Sequence, residues 1–205
     1  MLELRGATCV RGTRALFKGL DLLVPAGRLL RVQGVNGAGK TSLLRLICGL
    51  LAPADGAVLW QGQNIATLRE EFNRQMVFLG HAAALKDDLS AIENLLAACR
   101  LGGVPVSAAQ ARAALIEAGL RGRDHAPARI LSQGQRKRVA LARLVLSTQT
   151  RLWVLDEPFN ALDTVATAWL IGLIGAQVAR GGIVVLTSHQ SVDIGADVPQ
   201  QVLAL

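Results

Sequence analysis

Tyrosine is absent from this 205-residue chain, and phenylalanine and tryptophan together account for only 3% of it. No basic run alternates with aromatic rings on which bases could stack, so no nucleic-acid partner is expected. Long hydrophobic runs are also missing. Although 51% of the residues are hydrophobic, no stretch reaches the roughly 18 uninterrupted apolar residues that a membrane span needs. The opening "MLELRGATCV" has no basic segment followed by an apolar run, so no signal peptide is read and a cytosolic location is expected. Cysteines are few. Cys9, Cys48 and Cys99 are widely spaced and outside any CxxC or CxxCH pattern, which leaves reduced, structural thiols and no metal or haem attachment site.

Acids are the minority: 15 Asp and Glu face 22 Lys and Arg, for a formal charge of +7. Such a surplus favours phosphates or an anionic surface. The length suits one α/β domain with subdomains, and the mean hydropathy of +0.37 fits a rich core.

Strand-like runs occur at residues 2–9, 19–24, 29–34, 57–62 and 75–80, the last ending on Gly80-His81. An apolar helix is expected over residues 40–51. From about residue 90 to 147 the pattern turns helical. Ser90 and Glu93 form a capping box opening the first of these helices, and the Ala-rich stretch 107–119 makes another. Asp87 and Asp88 read as a lead into the capped helix. Strand patterns return at 151–156, 182–188 and 201–205, separated by a helical stretch at 163–179. Strands alternating with helices predict an α/β fold with a mostly parallel, doubly wound sheet. The central helical block reads as an inserted subdomain. The division expected is a single domain over residues 1–205, with a core of about 1–80 and 150–205 and a helical part of about 81–149.

"GVNGAGKT", residues 34–41, is a complete G-x4-G-K-[ST] phosphate loop between an apolar strand and a helix. Gly34, Gly37 and Gly39 let the backbone N–H groups of the loop, with Val35, Asn36 and Ala38, turn toward phosphate oxygens. Lys40 reaches the β- and γ-phosphates, Thr41 can ligate Mg²⁺, and Ser42 follows at the positive end of the helix. The second half is "RLWVLDEP", residues 151–158. An apolar strand delivers Asp156 and Glu157 to its carboxyl end, where such sheets bind ligands. Asp156 is then the Mg²⁺ carboxylate and Glu157 the candidate general base toward an attacking water.

"LSQGQRKRVALAR", residues 131–143, resembles the LSGGQ signature of ATP-binding cassette (ABC) ATPases. Asp156 follows Ser132 by 24 positions, close to that family's usual spacing. The resemblance covers essentially the whole chain. It implies a phosphate-loop core with a mostly parallel sheet, a small antiparallel β part and the inserted helical subdomain. It also implies a head-to-tail homodimer in which the signature of one copy, Ser132, Gly134 and Gln135, caps the γ-phosphate bound by the other. Arg136, Lys137 and Arg138 would make that helix end positive. "FNALD" resembles the D-loop and puts Asp163 at the dimer seam. "LTSHQ" resembles the switch segment, with His189 on the γ-phosphate as a catalytic residue beside Glu157 and Lys40. ATP and Mg²⁺ are the implied cofactors.

Three positions depart from the general pattern. Val10 or Arg11 stands where an aromatic usually stacks on adenine, making Arg11 a candidate platform. Gln133 replaces the usual Gly, which requires its side chain to point away from the nucleotide. His81 stands at the Q-loop glutamine position. A neutral imidazole can accept from a metal-bound water as an amide carbonyl can, so His81 is expected to meet Mg²⁺ through water. His125 reads as a surface turn.

With these departures the chain resembles the ATP-binding subunit of the haem exporter complex of cytochrome c maturation. That implies a peripheral protein on the cytoplasmic side of the bacterial inner membrane, bound to integral membrane subunits near residues 81–99. A periplasmic haem chaperone would be an indirect partner. The alternatives are the ATPase of another small-molecule ABC transporter, a soluble ABC protein acting on DNA or the ribosome, and a non-hydrolysing nucleotide switch.

Overall fold

In the computed structural model, which describes residues 1–188 and 192–205, side-chain alternation sets the first element. Strand β1 (Leu2–Arg11) buries Leu2, Leu4, Ala7 and Cys9. The change of phase between Leu4 and Ala7 is absorbed by a register shift against β2 (Arg14–Val24), its antiparallel neighbour. The chain continues through β3 (Arg28–Gln33) and helix α1 (Lys40–Ile47). It then returns as β4 (Asp55–Trp60) and β5 (Gln63–Asn64). These close a four-stranded antiparallel sheet in the order β2-β1-β4-β5. This is the small antiparallel β part that the sequence leads one to expect, smaller than the five-stranded parallel sheet beside it. Two short helices missed in the sequence follow, α2 (Ile65–Leu68) and α3 (Glu70–Arg74).

The second sheet joins β3 to β6 (Met76–Leu79), β7 (Leu152–Leu155), β8 (Ile183–Thr187) and β9 (Gln200–Ala204). Every pair is parallel, in the order β6-β7-β8-β3-β9. All residues of β7 and β8 are buried, as a sheet covered on both faces requires. Leu152, Val154, Ile183 and Val185 face α1 and the antiparallel sheet. Their neighbours Trp153, Leu155, Val184 and Leu186 face α7 (Thr164–Ala179). The α/β class and the mostly parallel sheet are as the sequence predicts.

Helix α1 stops short of its expected end at residue 51. Gly49 takes a φ of +69°, its N–H bonds Leu46 O at 3.1 Å, and the Leu50 N–H reaches back to Arg45 O at 2.8 Å. That pair of bonds satisfies the last carbonyls and ends the helix.

Between β6 and β7 lie α4 (Ala91–Leu101), α5 (Ala108–Glu117) and α6 (Gln133–Leu146). All three begin with capping boxes, Ser90/Glu93, Ser107/Gln110 and Ser132/Gln135. They share a core of their own, centred on Leu95, Cys99, Leu115 and Val139. Helix α6 serves both sides, giving Val139 and Ala142 to this core and Leu141 and Leu144 to the one beneath the sheet. Each buried leucine contributes about 1.5–3 kcal/mol, so the helical block is held to the sheet through α6. Asp87 and Asp88 do more than lead into α4. Asp87 pairs with Arg136 at 2.6 Å and Asp88 with Arg129 at 2.9 Å.

The three cysteines are free and buried, and His125 sits exposed beside Arg112 and Asp124. No helix among the described residues is long and apolar enough to cross a membrane.

Candidate nucleotide site

The loop after β3 turns into α1 through Gly39, whose φ of +106° an L side chain rarely adopts. A Cβ there would also lie 3.1 Å from that of Leu16. The first turn of α1 has no acidic residue and no side-chain cap, so its N–H groups and positive dipole end face outward, as an anion wants. Lys40, only 7% exposed, donates through Nζ to Gly34 O at 2.7 Å and Val35 O at 3.2 Å. Three N–H bonds are available to an ammonium, so the loop holds the side chain in place with one donor left over.

Strand β7 delivers Asp156 and Glu157, both buried. The Asp156 N–H donates to Leu79 O at 2.8 Å, fixing the strand end against β6. One carboxylate oxygen, Oδ2, accepts from Thr41 Oγ1 at 3.0 Å, and the other accepts from Thr187 Oγ1 at 2.8 Å. The Glu157 N–H donates to the same Thr187 hydroxyl at 2.9 Å. Thr187 was not singled out in the sequence. Its signal was its place at the end of the strand that precedes His189. Glu157 and Ala161 take φ of +49° and +62°, each costing about 1–3 kcal/mol in a non-glycine residue.

These elements enclose a cleft of about 300 Å³ lined by Arg11, Lys40, Thr41, His81, Asp156, Glu157 and Asn160. Asn36, Gly37, Gly39 and Ser42 line it as well, whereas Gly34, Val35 and Ala38 do not. His81 and Arg11 are thus brought to the phosphate loop from separate sheets. His189 lies outside the described residues.

Ser132, Gly134, Gln135 and Asp163 form a second group away from that cleft. Ser132 caps α6: its Oγ accepts from the Gln135 N–H at 3.2 Å and Gln135 Oε1 accepts from the Ser132 N–H at 3.0 Å. Its hydroxyl hydrogen stays available to an outside acceptor. Gln133 is exposed at the helix start. A Cβ on Gly134 would lie 2.6 Å from the carbonyl oxygen of Ala161, so within this chain the signature glycine makes room for the D-loop backbone.

The expected positive helix end is not there. Arg136 is taken up by Asp87 and by Ala128 O. Arg138 pairs with Asp163, and Lys137 is buried. Asp163 caps α7, accepting from the Ala166 N–H at 2.8 Å. That bond, with the Arg138 charge, holds its carboxyl below the usual range.

A parallel sheet with a phosphate loop at one strand and a buried aspartate two strands away, plus a helical block between β6 and β7, defines an ATP-binding cassette ATPase. The ABC transporter family profile matches residues 17–160, and the chain belongs to that family. Within it, the chain belongs with the cytochrome c biogenesis ATP-binding export proteins CcmA. It is 50% identical to that of Nitrosospira multiformis over 91% of this chain and 90% of the relative. It is 49% identical to that of Aromatoleum aromaticum over all of this chain and 95% of the relative. A solved ABC transporter ATP-binding protein from Pyrococcus furiosus superposes with a TM-score of 0.82 at 25% identity, covering 98% of this chain and 96% of its own. The protein binds and hydrolyses ATP.

Proposed function

We propose that this chain is the ATP-hydrolysing subunit of a membrane complex that exports haem, or releases a haem-loaded chaperone, in cytochrome c biogenesis. The observation that carries this reading is the near-50% identity to CcmA proteins across nearly the whole chain. The cleft supports the chemistry assigned to its residues.

Thr41 and Asp156 present hard oxygen donors 3.0 Å apart, and no cluster of three or more His, Cys, Asp or Glu competes for a metal among the described residues. One carboxylate and one hydroxyl beside nucleotide phosphates is a donor set that suits Mg²⁺. Thr41 and Asp156 would hold the ion, which would supply positive charge against the negative charge that develops in transfer. Lys40 would hold the β- and γ-phosphates, with the loop of residues 34–39, Thr41 and Ser42 supplying donors around them. Glu157 would take the proton of the attacking water, His189 would contact the γ-phosphate, and His81 would meet the metal through water. Arg11 would face the base.

Ser132, Gly134, Gln135 and Asp163 lie outside the cleft, which is the arrangement a head-to-tail homodimer needs to complete each site from the other copy. Residues 81–149 would act as the helical subdomain, docking integral membrane subunits on the cytoplasmic side of the inner membrane, with the haem chaperone reached through them. The test is to pull the chain from solubilised membranes with and without ATP and identify what accompanies it. Recovery of haem-handling membrane subunits is expected. Recovery of a different transporter's subunits, or of ribosomes or DNA, would replace this reading.

A further inference from the structure

Helix α6 turns one stripe of residues toward the end of β7. Gly134, Lys137, Leu141 and Leu144 follow one another at spacings of three and four residues, which places them on a single helix face. Contacts fix both ends of the stripe. A Cβ on Gly134 would lie 2.6 Å from Ala161 O, while Leu141 and Leu144 share a core with Trp153, Leu155 and Phe159. Lys137 lies between those ends. It therefore faces the segment from Leu155 to Ala161, which carries Asp156 and Glu157. The same lysine borders a cavity of about 120 Å³ that Leu79, Gly80 and Leu141 also line. Leu79 O is the acceptor of the Asp156 N–H at 2.8 Å, so the cavity adjoins the strand ends at the first of the two acids.

Packing alone gives no reason for a lysine on this stripe, whose other members are a glycine and two leucines. Its side chain is buried, and taking an ammonium out of water is costly unless opposite charge lies close. Asp156 and Glu157, themselves buried, supply that charge. Burial pushes the Lys137 ammonium toward neutrality, and the two carboxylates oppose the shift. Lys40 approaches from the other side, since α1 packs on the sheet face of Leu152 and Val154 and α6 on that of Trp153 and Leu155. The acids at the end of β7 thus stand between two lysines. Lys40 is held by the phosphate loop through Gly34 O and Val35 O, whereas Lys137 belongs to the signature helix.

We infer that Lys137 is a positioning residue for ATP hydrolysis: its charge, set behind the end of β7, holds the carboxylates of Asp156 and Glu157 in place for their roles. The inference rests on the roles proposed above for the two acids and adds the group that enforces them. Because α6 opens on Ser132, the cap offered to a second copy's nucleotide and the cation behind this copy's acids ride on one helix.

Two variants and one unfolding cycle test it. Lys137→Met keeps the length and the apolar stem but removes the charge. Lys137→Arg keeps the charge, and the adjoining cavity gives room for its larger head. In the Met variant kcat for ATP should fall roughly ten- to a hundredfold, with KM nearly unchanged, and the Arg variant should recover most of the loss. A lysine kept only for packing would give the reverse order, with Met better than Arg. The cycle compares urea unfolding of the nucleotide-free parent, Lys137→Met, Glu157→Gln and the double variant. Lys137→Met should be more unfavourable to the midpoint in the parent than in the Glu157→Gln chain, since only the parent holds both acid charges. Parental kcat in the Met variant, Arg no better than Met, or equal effects of Lys137→Met in the two backgrounds would each overturn the inference. Parental turnover in Glu157→Gln would instead overturn the general-base reading, and the cycle, which involves no nucleotide, tells that failure from this one.

Discussion

The hydroxyl of Thr187 donates to Asp156 Oδ1 at 2.8 Å while accepting from the backbone N–H of Glu157 at 2.9 Å. One small side chain thus orients both acids at the end of β7. It can do so because β8 lies between β7 and β3 in the sheet, which puts its last residue beside the acids and the phosphate loop. Thr187→Val keeps the shape but leaves a buried carboxylate oxygen and a buried N–H unpaired, at a cost of about 1–3 kcal/mol each. ATP turnover should fall roughly ten- to a hundredfold through misplacement of the acids, with a lower melting temperature. Thr187→Ser, which retains the hydroxyl, should recover most of both.

Glu157→Gln should separate binding from chemistry. The amide preserves volume but cannot take a proton from water, so steady-state ATPase should drop by roughly 10²–10⁴-fold, while equilibrium nucleotide binding persists. Turnover equal to the parent protein would remove Glu157 from the proposed role of general base.

Gly134→Ala tests the packing of signature against D-loop. With 2.6 Å between the new Cβ and the Ala161 carbonyl oxygen, one backbone must shift, and overpacking of this kind costs about 1–3 kcal/mol. Denaturant unfolding should show that loss in the isolated chain, before any dimer is considered.

Asp163 gives the protein an acid-sensitive contact. Its carboxyl is held below the ordinary range by the Ala166 N–H, with help from Arg138. A depressed folded-state value means the contribution is fully present above the unfolded-state range and is lost as pH falls through the folded one. Melting curves taken from neutral pH into the acid range should lose stability in that window, and Asp163→Asn should flatten that part of the profile.

His81 borders the same cleft as Lys40 and Glu157. His81→Ala should reduce partner-coupled ATPase or cytochrome maturation, and His81→Gln should restore a good part of it. Full activity of the Ala variant in both assays would leave His81 without a role at the site.

Local chemistry wrote several features directly into the sequence. Gly37, Gly39, Lys40 and Thr41 are adjacent, and their roles depend on backbone freedom and helix start, which neighbours in the chain determine. The Ser90/Glu93 box and the apolar runs of β7 and β8 are legible for the same reason. Helix α1 was read too long because apolar content runs on past Ile47, whereas the stop depends on the conformation of Gly49.

Other features needed the fold, since they join residues far apart in the chain. Asp87 and Arg136 are 49 positions apart and no local pattern marks that pair, whereas Thr41 and Asp156, 115 apart, each sit in a legible motif and only their contact needs the fold. The basic triplet at 136–138 read as a positive helix end because charge counts by position in a sequence but by neighbours in a structure. Folding gave Arg136 and Arg138 acids from other elements and turned Lys137 inward. What the sequence determined was the nucleotide chemistry, carried by short motifs. What only the tertiary structure decided was which charges are paired within the chain. Compensation of charge acts through space, between elements that the sheet order alone brings together.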